Sequence, residues 1–237
     1  MAQHDYDIAN QAGAAFRSDL NNALSAIATN NSGTTAPSTT FAYQWHVDTD
    51  APATLYIRNG ANNAYIEVGD ATLDNLGLQK FRRATAQAST SGTAITFGSI
   101  PSWANRITMM LYGVSTNGSN ELIVQLGTAS GFVTSGYNSN SESVAATSSQ
   151  YSSAGFLLTN TTLNTYLHSG IVHMIRVDGN NWVYTSNVKR AAVSGTTTSA
   201  YGAGDATLGA VLTQVRLTST NTPDTFDAGT VNIVYES

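Results

Sequence analysis

Residues 16–30 read FRSDLNNALSAIATN. Phe16, Leu20, Ala23 and Ile27 recur at steps of four, three and four, with Leu24 beside them. This spacing lays one apolar stripe along an α-helix backed by Arg17, Asp19, Asn21, Asn22 and Ser25. It is the one convincing helical period in the chain. A helix of about four turns is marginal in water unless its stripe is buried. It must pack on the strands that follow, on copies of itself, or on another protein. Its start falls between Ile8 and Ala14, because Gly13 weakens a helix interior. Ser18 and Asp19 favour the first turn if the start is late. The run Asn30-Asn31-Ser32-Gly33 predicts the end, with Gly33 as the left-handed stop.

Nearly everything after the helix reads as strand and turn. In Phe41–Asp48, the residues Phe41, Tyr43, Trp45 and Val47 alternate against Ala42, Gln44 and His46, which predicts a half-buried strand with an aromatic inner face. Thr54–Asn59 and Ala64–Gly69 predict a hairpin around Gly60-Ala61-Asn62-Asn63, with Leu55, Ile57, Tyr65 and Ile66 in its core. One helix on a three-stranded meander is near the lower size limit for an independent fold, so oligomerisation or docking is expected.

The segment 79–83, Gln-Lys-Phe-Arg-Arg, is the one basic cluster and reads as solvated. ATAQASTSGT, beginning at Ala84, has no core-forming residue and predicts a linker over 84–92 between domains 1–83 and 93–237. From Thr93 onward, short candidate strands follow at sandwich spacing. They are Ala94–Phe97, Arg106–Val114, Glu121–Leu126, Phe132–Thr134, Ala154–Thr159, Ile171–Val177, Trp182–Thr185, Ala206–Ser219 and Gly229–Tyr235. Ser135–Gln150 and Ser194–Gly204 read as long neutral loops with exposed Tyr. The predicted fold is mainly β: an N-terminal helix with a small meander, then a jelly-roll-like antiparallel β-sandwich.

Charged residues are only 11% of the 237, against a typical quarter, and the net charge is −5. The acids and bases number eight and five in residues 1–90, and seven and five in 91–237. Neither part is basic, so there is no electrostatic footprint for nucleic acid. No apolar run reaches membrane-spanning length, so no membrane insertion is expected. The N-terminus lacks the basic and apolar regions of a secretory signal. With no Cys, neither disulfides nor thiolate chemistry is available.

The opening AQHDYDIANQAGAAFRSDLNNALSAIATNNSG resembles the N-terminal module of a family of tailed-bacteriophage fibre proteins. In that family it is followed by Tyr-Gln-Trp-x-x-Asp, matched by Tyr43-Gln44-Trp45-His46-Val47-Asp48. A hairpin Ile-Arg-Asn-x-x-Asn-x-x-Trp comes next, matched by Ile57-Arg58-Asn59 through Asn62 to Tyr65, with Tyr replacing Trp. The second half resembles a recurrent fibre-tip module. It is carried by Ile100-Pro101-Ser102-Trp103 with Arg106-Ile107-Thr108, Val114-Ser115-Thr116-Asn117-Gly118, Gln125-Leu126-Gly127, Ala154-Gly155-Phe156, and Asp224 to Gly229 with Val231-Asn232-Ile233 and Tyr235-Glu236. The resemblance implies a virion component: a homotrimer, anchored to a tail adaptor, hub or other virion protein by its N-terminal part, with a β-rich distal domain. Tyr6, Phe16, Leu20, Leu24 and Ile27 are then the expected anchoring and trimer residues.

A search for chemistry gives little. The four His residues, His4, His46, His168 and His173, show no metal-ligand spacing, so no metal or other cofactor is expected. His173 reads as a satisfied sandwich His and His168 as a loop His. Glycoside cleavage needs two carboxylates roughly 5–10 Å apart. Asp224 and Asp227 are the nearest pair in sequence, and their turn-like setting after Pro223 favours capping instead. Glycan binding without charge remains available through aromatic stacking and Asn, Ser and Thr hydrogen bonds. Tyr137, Asn138, Tyr151 and Tyr201 are the candidate contacts, on loops.

Three functions are therefore weighed. The first is a short trimeric tail fibre that contacts a host glycan or protein. The second is a head fibre, decoration or tail connector without receptor binding. The third, which the sequence disfavours, is a polysaccharide-degrading enzyme.

Overall fold

The structure is a computed structural model that describes residues 3–78, 80–144, 149–160, 162–192, 197–220 and 224–237. Parts of the two expected long loops, at 145–148 and 194–196, lie outside the described residues, as do Gln79 of the basic cluster and Pro223. The protein is mainly β, with one N-terminal helix followed by antiparallel sheets. It divides into two compact units, Met1–Lys80 and Phe81–Ser237.

In the first unit the helix α1 spans Gly13–Ala28. Gly13 is its first residue, so its conformational freedom falls where it costs little. Asp19 lies beyond the first turn and is instead bonded to His4 (2.8 Å) and Gln11 (3.0 Å). The stop is made by asparagine. Asn30 adopts φ +51°, and the N–H groups of Asn30 and Asn31 donate to the carbonyls of Ile27 (3.2 Å) and Ala26 (2.7 Å). That is the Schellman pattern, formed three residues before the expected Gly33.

Asn31 then gathers the unit. Its side chain accepts from the Tyr6 hydroxyl at 2.8 Å, and its carbonyl accepts from His46 Nδ1 at 2.9 Å. Tyr6 is therefore held against the helix end.

The meander is β1 (Trp45–Asp48), β2 (Thr54–Arg58) and β3 (Tyr65–Asp70), paired in that order. β1 starts four residues later than expected because Tyr43, at φ +66°, turns the chain. The expected faces of this strand are also exchanged. His46 is buried against Tyr56 and Tyr65, while Phe41, Tyr43 and Trp45 are exposed. The connection from β2 to β3 explains the Arg-Asn-x-x-Asn-x-x-Tyr spacing. Arg58 donates to the Asn62 side chain and carbonyl at 3.0 and 2.9 Å, and its guanidinium lies 4.8 Å from the Tyr65 ring centre. Asn59 Oδ1 accepts from the Asn63 backbone N–H at 3.1 Å. A single 3₁₀ turn at Asp74–Gly77 follows.

The second unit is a two-sheet β-sandwich. Its strands are β4 (Phe81–Arg83), β5 (Gln87–Ala88), β6 (Ile95–Phe97), β7 (Arg106–Thr116), β8 (Leu122–Thr128), β9 (Gly131–Phe132), β10 (Tyr137–Ser143), β11 (Gln150–Ser152), β12 (Phe156–Leu157), β13 (Tyr166–Asp178), β14 (Asn181–Ala192), β15 (Thr197–Thr207), β16 (Gln214–Ser219) and β17 (Phe226–Glu236). The large sheet runs β11-β10-β15-β14-β13-β7-β17-β4, with β5 also on β17. The small sheet runs β12-β8-β16-β6, with β9 on β8. Ile107, Met109, Val172, Met174 and Trp182 of the large sheet meet Leu122, Val124, Leu126, Val215 and Leu217 of the small one.

Four expectations are corrected here. The predicted linker 84–92 is part of the sandwich: Gln87 and Ala88 pair with β17, and Ser89 is buried and bonds Ala228 and Gly229. The expected strand Ala206–Ser219 is two strands, β15 and β16, in different sheets. Both expected loops contain strands (β10, β11 and β15). His168 lies in β13, buried with Nδ1 donating to the Val114 carbonyl at 3.0 Å, whereas His173 is half-buried beside Thr108.

Candidate functional site

Each unit presents a surface that its own chain leaves unfinished. Along α1 only Ala23 and Ala26 are buried. Phe16, Leu20, Leu24 and Ile27 are 42%, 39%, 54% and 60% exposed. Among the described residues of this unit no Phe, Leu, Ile, Tyr or Trp is buried. Fully burying one such side chain contributes about 1.5–3 kcal/mol, so four left half-open forgo several kcal/mol in a lone chain. The stripe predicted from sequence is present, and within this chain it has little to pack against.

The large sheet of the second unit has a comparable face. Ile171, Ile175 and Val183 point away from the core and are exposed, with Ile175 and Val183 directly paired across β13 and β14. These side chains give the outer face an apolar stripe at the centre of the sheet.

The four expected glycan contacts divide. Tyr137 is corrected: it is 2% exposed, in β10, with its ring edge-on to Phe156. Its hydroxyl accepts from the Leu126 N–H at 2.7 Å and donates to the Val133 carbonyl at 3.1 Å. Burial pushes this phenol up to about 12, so it stays neutral. The other three sit on strands, not loops, and share the outer face of β11, β10 and β15. Asn138 donates to Asp205 at 3.2 Å, Tyr151 is opposite Asn140, and Tyr201 is opposite Glu142. Tyr151 and Tyr201 are both exposed.

Two hollows of the sandwich lie beside the small sheet, and the second reaches Tyr151 at the β11 edge. One hollow of about 340 Å³ is lined by Ile123, Gln125, Thr134, Ala154, Arg216, Thr218 and Ser219. A second, of about 290 Å³, shares Ala154 and adds Glu121, Gln150, Tyr151, Ser152, Ser153, Leu157 and Thr220. The two meet at Ala154, are lined largely by hydroxyls and amides, and have the exposed Tyr151 in the wall of the second. Their one cation is Arg216, between the inward-facing Val215 and Leu217 of β16. The Arg216 Nε donates to Gln125 Oε1 at 2.8 Å, and its guanidinium carbon lies 4.2 Å from the Phe132 ring centre.

Sequence reasoning reached Tyr151 and missed Arg216. A lone charge in an otherwise apolar and hydroxylic strand, Val-Arg-Leu-Thr-Ser, was the available signal.

Among the described residues, no group of three His, Asp or Glu could hold a metal ion. No described helix is long and apolar enough to cross a membrane. No family model, curated protein or solved structure matches this chain.

Proposed function

We propose that this chain is the protomer of a short homotrimeric bacteriophage tail fibre. The Met1–Lys80 unit joins the copies and holds them to a tail adaptor, hub or other virion protein, and the sandwich contacts a host-surface glycan or protein. One observation carries the assembly part of this reading: the Phe16, Leu20, Leu24 and Ile27 stripe lies open in a unit whose described residues bury no large apolar side chain. A unit of that kind gains its core from a permanent partner, and copies of itself are always present at matching concentration. The stripe spans two heptads, short of a free coiled-coil stalk, so the helices pack as a compact hub. The exposed Ile171, Ile175 and Val183 face offers a second contact between copies.

The hollows beside Tyr151 and Arg216 suit a saccharide, since hydroxyl and amide groups line them and an aromatic ring borders them. Support for the virion setting comes from the order of the motifs, which resembles that of phage fibres. Gold-labelled antibody against the chain, imaged on intact virions, tests it. Label at the tail supports the reading. Label confined to the head, or none, overturns it.

A further inference from the structure

We propose that the hollow beside Arg216 is a subsite for an oxyanion carried by a saccharide, a carboxylate or a phosphate, and that Arg216 selects for that charge. The inference rests on the reading of the sandwich as the part that meets the host surface. Arg216 is fixed on one edge and one face. Gln125 Oε1 accepts the hydrogen bond of its Nε–H, and Gln125 is itself held because its Nε2 donates to the Ala154 carbonyl at 2.7 Å. Phe132 takes the face of the guanidinium.

Among the described residues, the two terminal nitrogens have no hydrogen bond and no ion pair joins Arg216 to a carboxylate. The acid of the second hollow, Glu121, precedes β8 and lies four residues from Gln125, roughly 14 Å at strand rise. It accepts a bond from the Thr220 hydroxyl at 3.1 Å.

A clamp between strands needs only the Nε bond and the stacked face. What remains is a planar fork of N–H donors, pre-oriented and without a countercharge, which is the geometry that reads carboxylate or phosphate. Partial burial already disfavours the bare cation and shifts its pKa down, so an anion arriving there relieves that cost. Thr134 lies in the same hollow with Thr218 and Ser219, whose hydroxyls are held by the Thr93 carbonyl and the Asp224 N–H at 2.8 Å each and so shape its wall.

The test is calorimetric titration of the full chain with three probes: a galacturonic acid oligomer, a glycerol phosphate oligomer, and the carboxyl-reduced, neutral form of the first. The expected result is at least tenfold tighter binding of one anionic probe than of the neutral one, weakening as salt rises. Arg216→Gln should bring that affinity down to the neutral level. Arg216→Lys keeps the charge but not the fork, and should fall between. Circular dichroism of both variants must match the unsubstituted chain, and if Arg216→Gln misfolds, Arg216→Lys alone decides.

Equal affinity for charged and neutral probes, no binding of any probe, or a preference undiminished in the variants overturns the inference. Adsorption of the labelled full chain to host cells separates the two readings. Adsorption undiminished by Arg216→Gln removes this subsite and leaves host contact standing. Absence of adsorption by the unsubstituted chain removes host contact itself.

Discussion

The hydroxyl of Tyr184 donates to the backbone carbonyl of Leu157 at 2.7 Å, across the sandwich from β14 to β12. Leu157 answers through its N–H, which donates to Ser139 Oγ at 2.7 Å, and Ser139 lies 3.0 Å from the Tyr184 hydroxyl. The ring of bonds closes on itself, with Ser139 donating to Tyr184. β12 needs it: its two residues pair with β8 on one side only, and their other backbone groups are buried. Burial also pushes the Tyr184 phenol up to about 12, keeping the donor protonated.

Tyr184→Phe should therefore destabilise the sandwich by about 1–3 kcal/mol, because the Leu157 carbonyl loses its donor while staying buried. Ser139→Ala should cost a similar amount, and the double variant less than the sum. Urea denaturation followed by tryptophan fluorescence measures all three. Full additivity would show that the ring does not act as a unit.

Gly202 lies under the same ring. A Cβ built there would sit 2.6 Å from both the Leu157 carbonyl oxygen and the Tyr184 hydroxyl. Gly202→Ala should cost about 1–3 kcal/mol through the forced displacement. A thermal midpoint unchanged from the parent would contradict this packing.

His168 supplies a pH dependence. Burial, with Arg190 adding to it, lowers its pKa to about 4, against about 6.5 in an unfolded chain. The folded state thus binds fewer protons than the unfolded one between those values. Stability contributed by neutral His168 is present above pH 6.5 and is lost as pH falls toward 4, by no more than about 3 kcal/mol. Denaturation midpoints at pH 7, 5.5 and 4.5 should fall in that order. His168→Gln should flatten the slope, and an equally steep slope in that variant would assign it to other groups.

On the helix, Leu24→Asp and Ile27→Asp replace side chains that are more than half exposed within one chain. In a monomer such changes usually stay within about 0.5 kcal/mol. If the stripe joins copies, either substitution should release monomers in sedimentation velocity while leaving the sandwich's thermal transition in place. Retention of the parent's sedimentation coefficient would argue that the stripe faces solvent in the assembly too.

The helix was legible from an apolar stripe that proves to be exposed, the hairpin from its alternation and turn, and the long strands β7, β13 and β17 because their inward positions are apolar. The strands β10, β11 and β15 were not. β10 turns Tyr137, Ser139, Ser141 and Ser143 inward, and β15 turns Ala200 and Gly202 inward, so small polar and small apolar residues carried no hydrophobic period. Residues 84–92 read as a linker because backbone pairing to β17 needs no side-chain signature. The inner face of β1 was misassigned because Tyr43 breaks the strand. His46 is buried there because Asn31 and two tyrosines satisfy it, while three larger aromatics stay outside. Of the hollows, Tyr151 was legible as an exposed aromatic. Arg216 showed only as a lone charge in its strand, since its place beside Gln125 and Phe132 depends on strands β8, β9 and β16 meeting in one sheet.

Assembly of the intact chain is the claim on which the rest turns, and light scattering coupled to size exclusion measures it directly. The account predicts a mass about three times the 24.9 kDa of one chain, independent of dilution over the micromolar range. A mass near that of a single chain would contradict it.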